Sequence, residues 1–217
     1  MFKKTFLLLL SSIFANCCFS QNKDSLYVFV GERISVNQFI PGDTIISRNK
    51  DSSVTKRIYM DEAFKAKYKV LKNVFHQLNQ DTVEFEAYDH YGKPPFANYK
   101  YVLLFITKSN GKLYHEKYMY FEVYKTSDGK WASACDPDCT RFNEDYEKVK
   151  SIAMDIQFEK SVDFKLAKIS SQNVELYYNA PNFRIERDKA IPIKGVYAED
   201  LFEIAAEHIL KNRGYFK

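Results

Sequence analysis

The chain has 217 residues, 46% of them hydrophobic and 16% aromatic, with 32 basic against 28 acidic side chains and a net charge of +4. So much aromatic material supplies a packed core and excludes a disordered chain, and basic residues interspersed with acids argue against a nucleic-acid partner. There are seven glycines and no P-loop, dinucleotide fingerprint, HExxH or Gly-x-Ser-x-Gly elbow, so the common catalytic signatures are missing and no cofactor is expected.

Residues 1–20 place Lys3 and Lys4 ahead of Phe6, Leu7, Leu8, Leu9, Leu10, Ile13 and Phe14, then close on Cys18, Phe19 and Ser20. Positive, apolar and small-residue regions in that order read as a secretory signal, and the apolar run falls short of the roughly 20 residues that span a bilayer. Cleavage after Ser20 is expected, giving a secreted or periplasmic protein with no transmembrane segment in the mature chain. A lipid anchor at Cys17 or Cys18 is the minority alternative, because Asn16 and Cys17 stand where that pattern wants Gly, Ala or Ser. Signal removal leaves two cysteines, Cys135 and Cys139, separated by Asp136, Pro137 and Asp138. A turn-forming proline between two thiols in an oxidising compartment predicts a disulfide. The acids that follow lack the ligand pattern of a zinc or calcium site, so no metal is expected.

Residues 26–36 open with Leu26, Tyr27, Val28, Phe29 and Val30, then Gly31, Ile34 and Val36, which predicts a strand with a bulge at Gly31. Pro41-Gly42-Asp43 and a polar stretch make residues 37–53 a turn and a long connection. Residues 63–70 alternate Phe64, Ala66, Tyr68 and Val70 with Lys65, Lys67 and Lys69; residues 82–88 alternate Val83, Phe85 and Ala87 with Glu84 and Glu86. These two half-buried strands form an antiparallel hairpin whose lysine and glutamate faces oppose each other. After a turn-rich loop at residues 89–95, the run Tyr101-Val102-Leu103-Leu104-Phe105-Ile106 reads as a central strand. Asn110-Gly111 signals a hairpin into a strand that alternates Leu113, His115, Met119, Phe121 and Val123 with Tyr114, Glu116, Tyr118, Tyr120 and Tyr124. Residues 159–178 carry mixed helical signals, and residues 183–193 resemble a short strand pair ended by Pro192. The last element, residues 197–213, is an amphipathic helix with Leu201, Ile204, Ala205, His208 and Ile209 on one face, stopping at Gly214.

The run from Asp61 through Tyr68, Val70 and Leu71, followed by Asp81-Thr82-Val83-Glu84-Phe85 and Tyr101-Val102-Leu103-Leu104-Phe105, resembles an OB-type barrel and is similar to netrin-like modules. Netrin-like inhibitor modules carry a disulfide framework and an N-terminal cysteine that this chain lacks, so inhibitor activity is not carried over. The whole chain resembles uncharacterised secreted proteins of flavobacterial type, which implies export and no particular activity. The expected fold is mainly β (α+β): an antiparallel, partly open OB-like barrel with a C-terminal helical segment. Residues 1–20 are the signal, 21–150 a β-rich barrel-like domain, and 151–217 an α/β segment packed on the same body.

No catalytic residue is assigned. Tyr114, Tyr118, Tyr120 and Tyr124, with Trp131 shortly after, form the candidate binding surface, because aromatic faces take protein, peptide or carbohydrate partners at low entropy cost. The same row is equally the packing face under a second layer. A non-catalytic binding or interaction module is the leading expectation. The alternatives are a structural envelope component and a metal-assisted or His/Asp-based hydrolase, which would need His90, His115 and nearby acids in one cleft.

Overall fold

The computed structural model describes residues 25–41, 46–48, 54–56, 60–134 and 152–217, and the structural statements below refer to these residues. The expected signal and lipid-anchor cysteines and the Cys135–Cys139 pair lie outside them.

Five strands carry the architecture: β1 (Ser25–Phe39), β4 (Glu62–Phe75), β5 (Thr82–Asp89), β6 (Tyr101–Ser109) and β7 (Lys112–Glu122). They close a mainly antiparallel barrel in the order β1-β4-β5-β7-β6, the OB-like arrangement. Its seam is narrow, since β5 and β7 run parallel and meet at the pair Glu86 and Tyr114. A small hairpin, β2 (Ile46–Arg48) with β3 (Val54–Lys56), sits in the connection between β1 and β4.

Period-2 alternation builds the β4–β5 wall. Phe64, Ala66, Tyr68, Val83, Phe85 and Ala87 are buried inside the barrel, while Lys65, Lys67 and Lys69 face out. Lys65 lies opposite Glu86 and Lys67 opposite Glu84, as the charge pattern predicts, whereas Lys69 lies opposite Thr82. Glu86 makes its ion pair with Lys112 of β7 at 3.5 Å, so the charge also ties the barrel seam. In β1 the register shifts between Val30 and Gly31, where the bulge was expected. A Cβ on Gly31 would stand 2.8 Å from the Phe29 ring and 3.0 Å from the Tyr68 ring, so only glycine lets β1 pass that close.

The central strand β6 has both faces covered, which explains its unbroken apolar run. Val102, Leu104 and Ile106 point into the barrel core, and Leu103 and Phe105 point out into a second one. That second core joins the outer wall of β1, β6 and β7 to the C-terminal region through Val28, Val30, Phe105, Phe121, Val196 and Leu201.

Beyond the barrel, β8 (Tyr124–Lys125), β9 (Trp131–Ala134), β10 (Met154–Asp155) and β14 (Lys194–Tyr197) form a sheet in the order β10-β14-β9-β8. Strand β9 thus pairs with β14, joining the chain that leaves the barrel to the C-terminal segment in one sheet. The pairing is tight at Gly195, where a Cβ would come 2.6 Å from the Ser133 carbonyl oxygen. A three-stranded sheet, β11 (Phe164–Lys165), β13 (Lys189–Pro192) and β12 (Phe183–Glu186), contains the strand pair read from residues 183–193. Helix α1 (Ser171–Tyr177) is capped by Ser170, whose hydroxyl accepts from the Asn173 amide at 3.3 Å.

The C-terminal helix is two pieces, α2 (Ala198–Glu207) and α3 (Ile209–Asn212), broken at His208 with φ −118° and ψ −90°. A continuous helix would keep His208 in the apolar stripe. The break instead turns Leu210 fully inward and leaves His208 half-buried. On either side of Gly214 (φ 82°), Arg213 bonds the Glu116 carboxylate and the Lys117 carbonyl (3.1 Å), and the Tyr215 hydroxyl donates to Glu116 at 2.7 Å. Among the described residues no helix is long and apolar enough to cross a membrane.

Candidate functional site

Where β6 begins and β7 ends, the Val123 amide donates to the Tyr101 carbonyl at 3.2 Å. The chain then enters β8, and residues 157–159 return alongside it: the Ser127 amide bonds Gln157 and the Glu159 amide bonds Lys125, both at 2.8 Å. The barrel wall, β8, β9 and residues 159–162 enclose a cleft of about 430 Å³, within the usual range for small-ligand sites.

Aromatic side chains line this cleft. The rings of Tyr101 and Trp131 lie 5.0 Å apart at 54°, and Tyr124 meets Phe158 edge-on at 5.7 Å. Charge surrounds them. The Lys100 ammonium sits 4.8 Å above the Tyr101 ring and 3.4 Å from Glu32, and Lys125 pairs with Glu159 at 3.1 Å. The Tyr101 hydroxyl first, then Glu32, hold the Lys100 ammonium above its ordinary pKa. Glu122, Lys160, Ser161 and Val162 complete the lining. The cleft can therefore stack a planar or ring-shaped ligand and hydrogen-bond its polar edge. A second cleft of about 390 Å³, beside residues 77–81, is lined by Val70, Leu71, Lys72 and polar side chains without an aromatic ring.

Tyr124 and Trp131 are thus brought together, but the five expected aromatic residues do not share one surface. Strand β7 carries a wide bulge: Ile106 pairs with His115 and Leu104 with Tyr120, leaving residues 116–119 opposite Phe105 alone. Tyr120 follows His115 by five positions, an odd offset, so the alternation changes phase. Tyr120 goes into the barrel core at 1% exposure, while Met119, Phe121 and Val123 turn to the second core. Tyr118 occupies the bulge with φ 66° and lies under the Lys117 ammonium at 5.4 Å. Tyr114 stays at the β5–β7 seam with its ring 6.4 Å from that of Tyr88. Strict alternation across residues 113–124 is therefore corrected to two phases.

No protein-family model, curated protein or solved structure matches this chain.

The histidines do not meet in this cleft. His90 donates from Nδ1 to the Met60 carbonyl at 3.0 Å and stands 3.7 Å from Asp61. His115 lies between the Phe85 and Phe96 rings, at 6.2 and 4.5 Å, with Nε2 donating to the Met119 carbonyl at 3.0 Å. Burial pushes its imidazole down to about 3, against which the Met119 bond works and to which Arg213 adds. An imidazole held neutral so far below its usual range is a poor general base near neutral pH. Among the described residues, no group of three or more His, Cys, Asp or Glu is placed to hold a metal ion.

Sequence reasoning missed Tyr101 and Lys100 because Tyr101 heads an apolar run and reads as core. It missed residues 159–162 because the contact between Thr126 and Phe158 that lays them against β8 is non-local. The one available signal was the position of Tyr101 beside the exposed Lys100, at the strand's solvent-facing start.

Proposed function

We propose that the chain is an exported, non-catalytic binding module that holds its ligand in the cleft between the barrel wall and the C-terminal segment. The observation that carries this reading is the convergence of Tyr101, Tyr124 and Trp131, rings from three different strands, in a cleft rimmed by paired lysines and glutamates. Tyr and Trp supply large contact area with few rotatable bonds, which is why such residues concentrate binding energy. Amide-detected NMR of labelled protein against a mixed fragment set tests it. Shifts should concentrate at residues 100–101, 122–125 and 159–162 and vanish for Tyr124→Ala, whose amide spectrum otherwise stays folded. Fragments that bind only elsewhere would overturn the reading.

Export and the disulfide belong to the same proposal. The intact mass of protein collected outside the cytoplasm should begin at Gln21 and be two hydrogens below the free-thiol value, with Cys135 and Cys139 resistant to alkylation. A retained residue 1–20 segment, or two alkylated thiols, would remove the corresponding part.

A further inference from the structure

We infer that the ligand of the Tyr101–Tyr124–Trp131 cleft is a neutral oligosaccharide; this rests on the binding-module reading and names the chemistry that the cleft accepts. Three features point there. The first is the disposition of charge. Lys100 is paired with Glu32 at 3.4 Å and Lys125 with Glu159 at 3.1 Å, and the remaining cation of the lining, Lys160, is balanced by the carboxylate of Glu122 in the same lining, so an anionic ligand would have to compete with carboxylates already in place. A ligand with hydroxyls, each both donor and acceptor, can bond ammonium and carboxylate alike and leave those pairs intact.

The second feature is the backbone. A peptide that binds by strand addition needs free main-chain donors and acceptors along an edge. Here the amides of Val123, Thr126, Ser127 and Glu159 already bond Tyr101, Lys130, Gln157 and Lys125 across the cleft walls. Along β8 the wall therefore offers side chains rather than a free strand edge. The third is the pairing of aromatic rings, tilted at 54° to each other, with polar neighbours in a space of about 430 Å³, suited to the apolar face and hydroxylated rim of a sugar ring.

Trp131 is the chain's single tryptophan and lines this cleft while its other side packs into the second core, so a ligand-dependent change in its emission reports on the cleft wall. The experiment titrates the folded protein with neutral gluco-, xylo- and N-acetylglucosamine oligomers, with sulfated and uronic oligomers, and with a peptide pool. The expected result is a saturable change in Trp131 emission with a neutral oligomer. It should depend little on salt, weaken about tenfold or more in Tyr124→Ala, and stay within about threefold in Tyr124→Phe. A response to anionic oligomers or peptides alone overturns the sugar assignment and leaves the cleft reading standing. If no probe moves Trp131, and fragment-induced amide shifts also miss the cleft, both fail.

Discussion

Phe96→Ala will lower the unfolding free energy by about 3–5 kcal/mol, the usual loss for an aromatic ring removed from a packed core. Phe96 belongs to a single 3-10 turn, Pro95–Asn98, in the connection between β5 and β6, yet it is completely buried. Its ring lies 6.0 Å from Phe85, 6.1 Å from Tyr68, 6.1 Å from Tyr120 and 4.5 Å from His115, so it touches three barrel strands together. The turn is held there by polar anchors. Arg33 bonds the Ala97 carbonyl, and the Tyr68 hydroxyl donates to the Phe96 carbonyl at 3.4 Å. Burial pushes the Tyr68 phenol well above its ordinary pKa, so it stays a donor across the working range. Removing the Phe96 ring leaves a cavity that rigid strands cannot collapse, and the loss should exceed that for Phe96→Leu by about 2 kcal/mol. Urea unfolding followed by circular dichroism measures both. A loss of about 1 kcal/mol or less for the alanine variant would mean that the turn does not plug the barrel.

Burial on one face, with solvent on the other, made the β4–β5 hairpin legible: period 2 fixes which side chains go inside, and the register follows. The turn at Asn110-Gly111 was equally readable, since both residues take positive φ, 49° and 80°, which few other residue types adopt easily. The candidate site was harder to read. No Gly or Pro in residues 113–124 marks the bulge that redirects Tyr120. Part of what holds that bulge, the Arg213 and Tyr215 bonds to Glu116, comes from nearly a hundred residues away. Phe96 was hidden in a loop that reads as turn-rich, although an aromatic ring next to two prolines is a signal that something in that loop is anchored.

His115 gives the barrel an acid limit. Folded, its imidazole stays neutral down to about 3; in the unfolded chain it takes a proton near 6.5. Above pH 6.5 neither state is protonated and the contribution to stability is fully present. As pH falls from 6.5 toward 3, the unfolded chain binds a proton that the folded chain refuses, so stability is lost by up to about 1.4 kcal/mol per pH unit. The His115 side chain is half-buried, and the expected loss between pH 7 and pH 4.5 is accordingly about 2 kcal/mol. His115→Phe keeps an aromatic ring between Phe85 and Phe96 and loses the Met119 bond, which should cost about 1 kcal/mol at neutral pH. In exchange its stability should be nearly flat across that window. Urea midpoints at half-unit pH steps, for the natural chain, His115→Phe and His90→Asn, decide the matter. The slope should vanish in the His115 variant alone, and an undiminished slope there would place the acid sensitivity in another group.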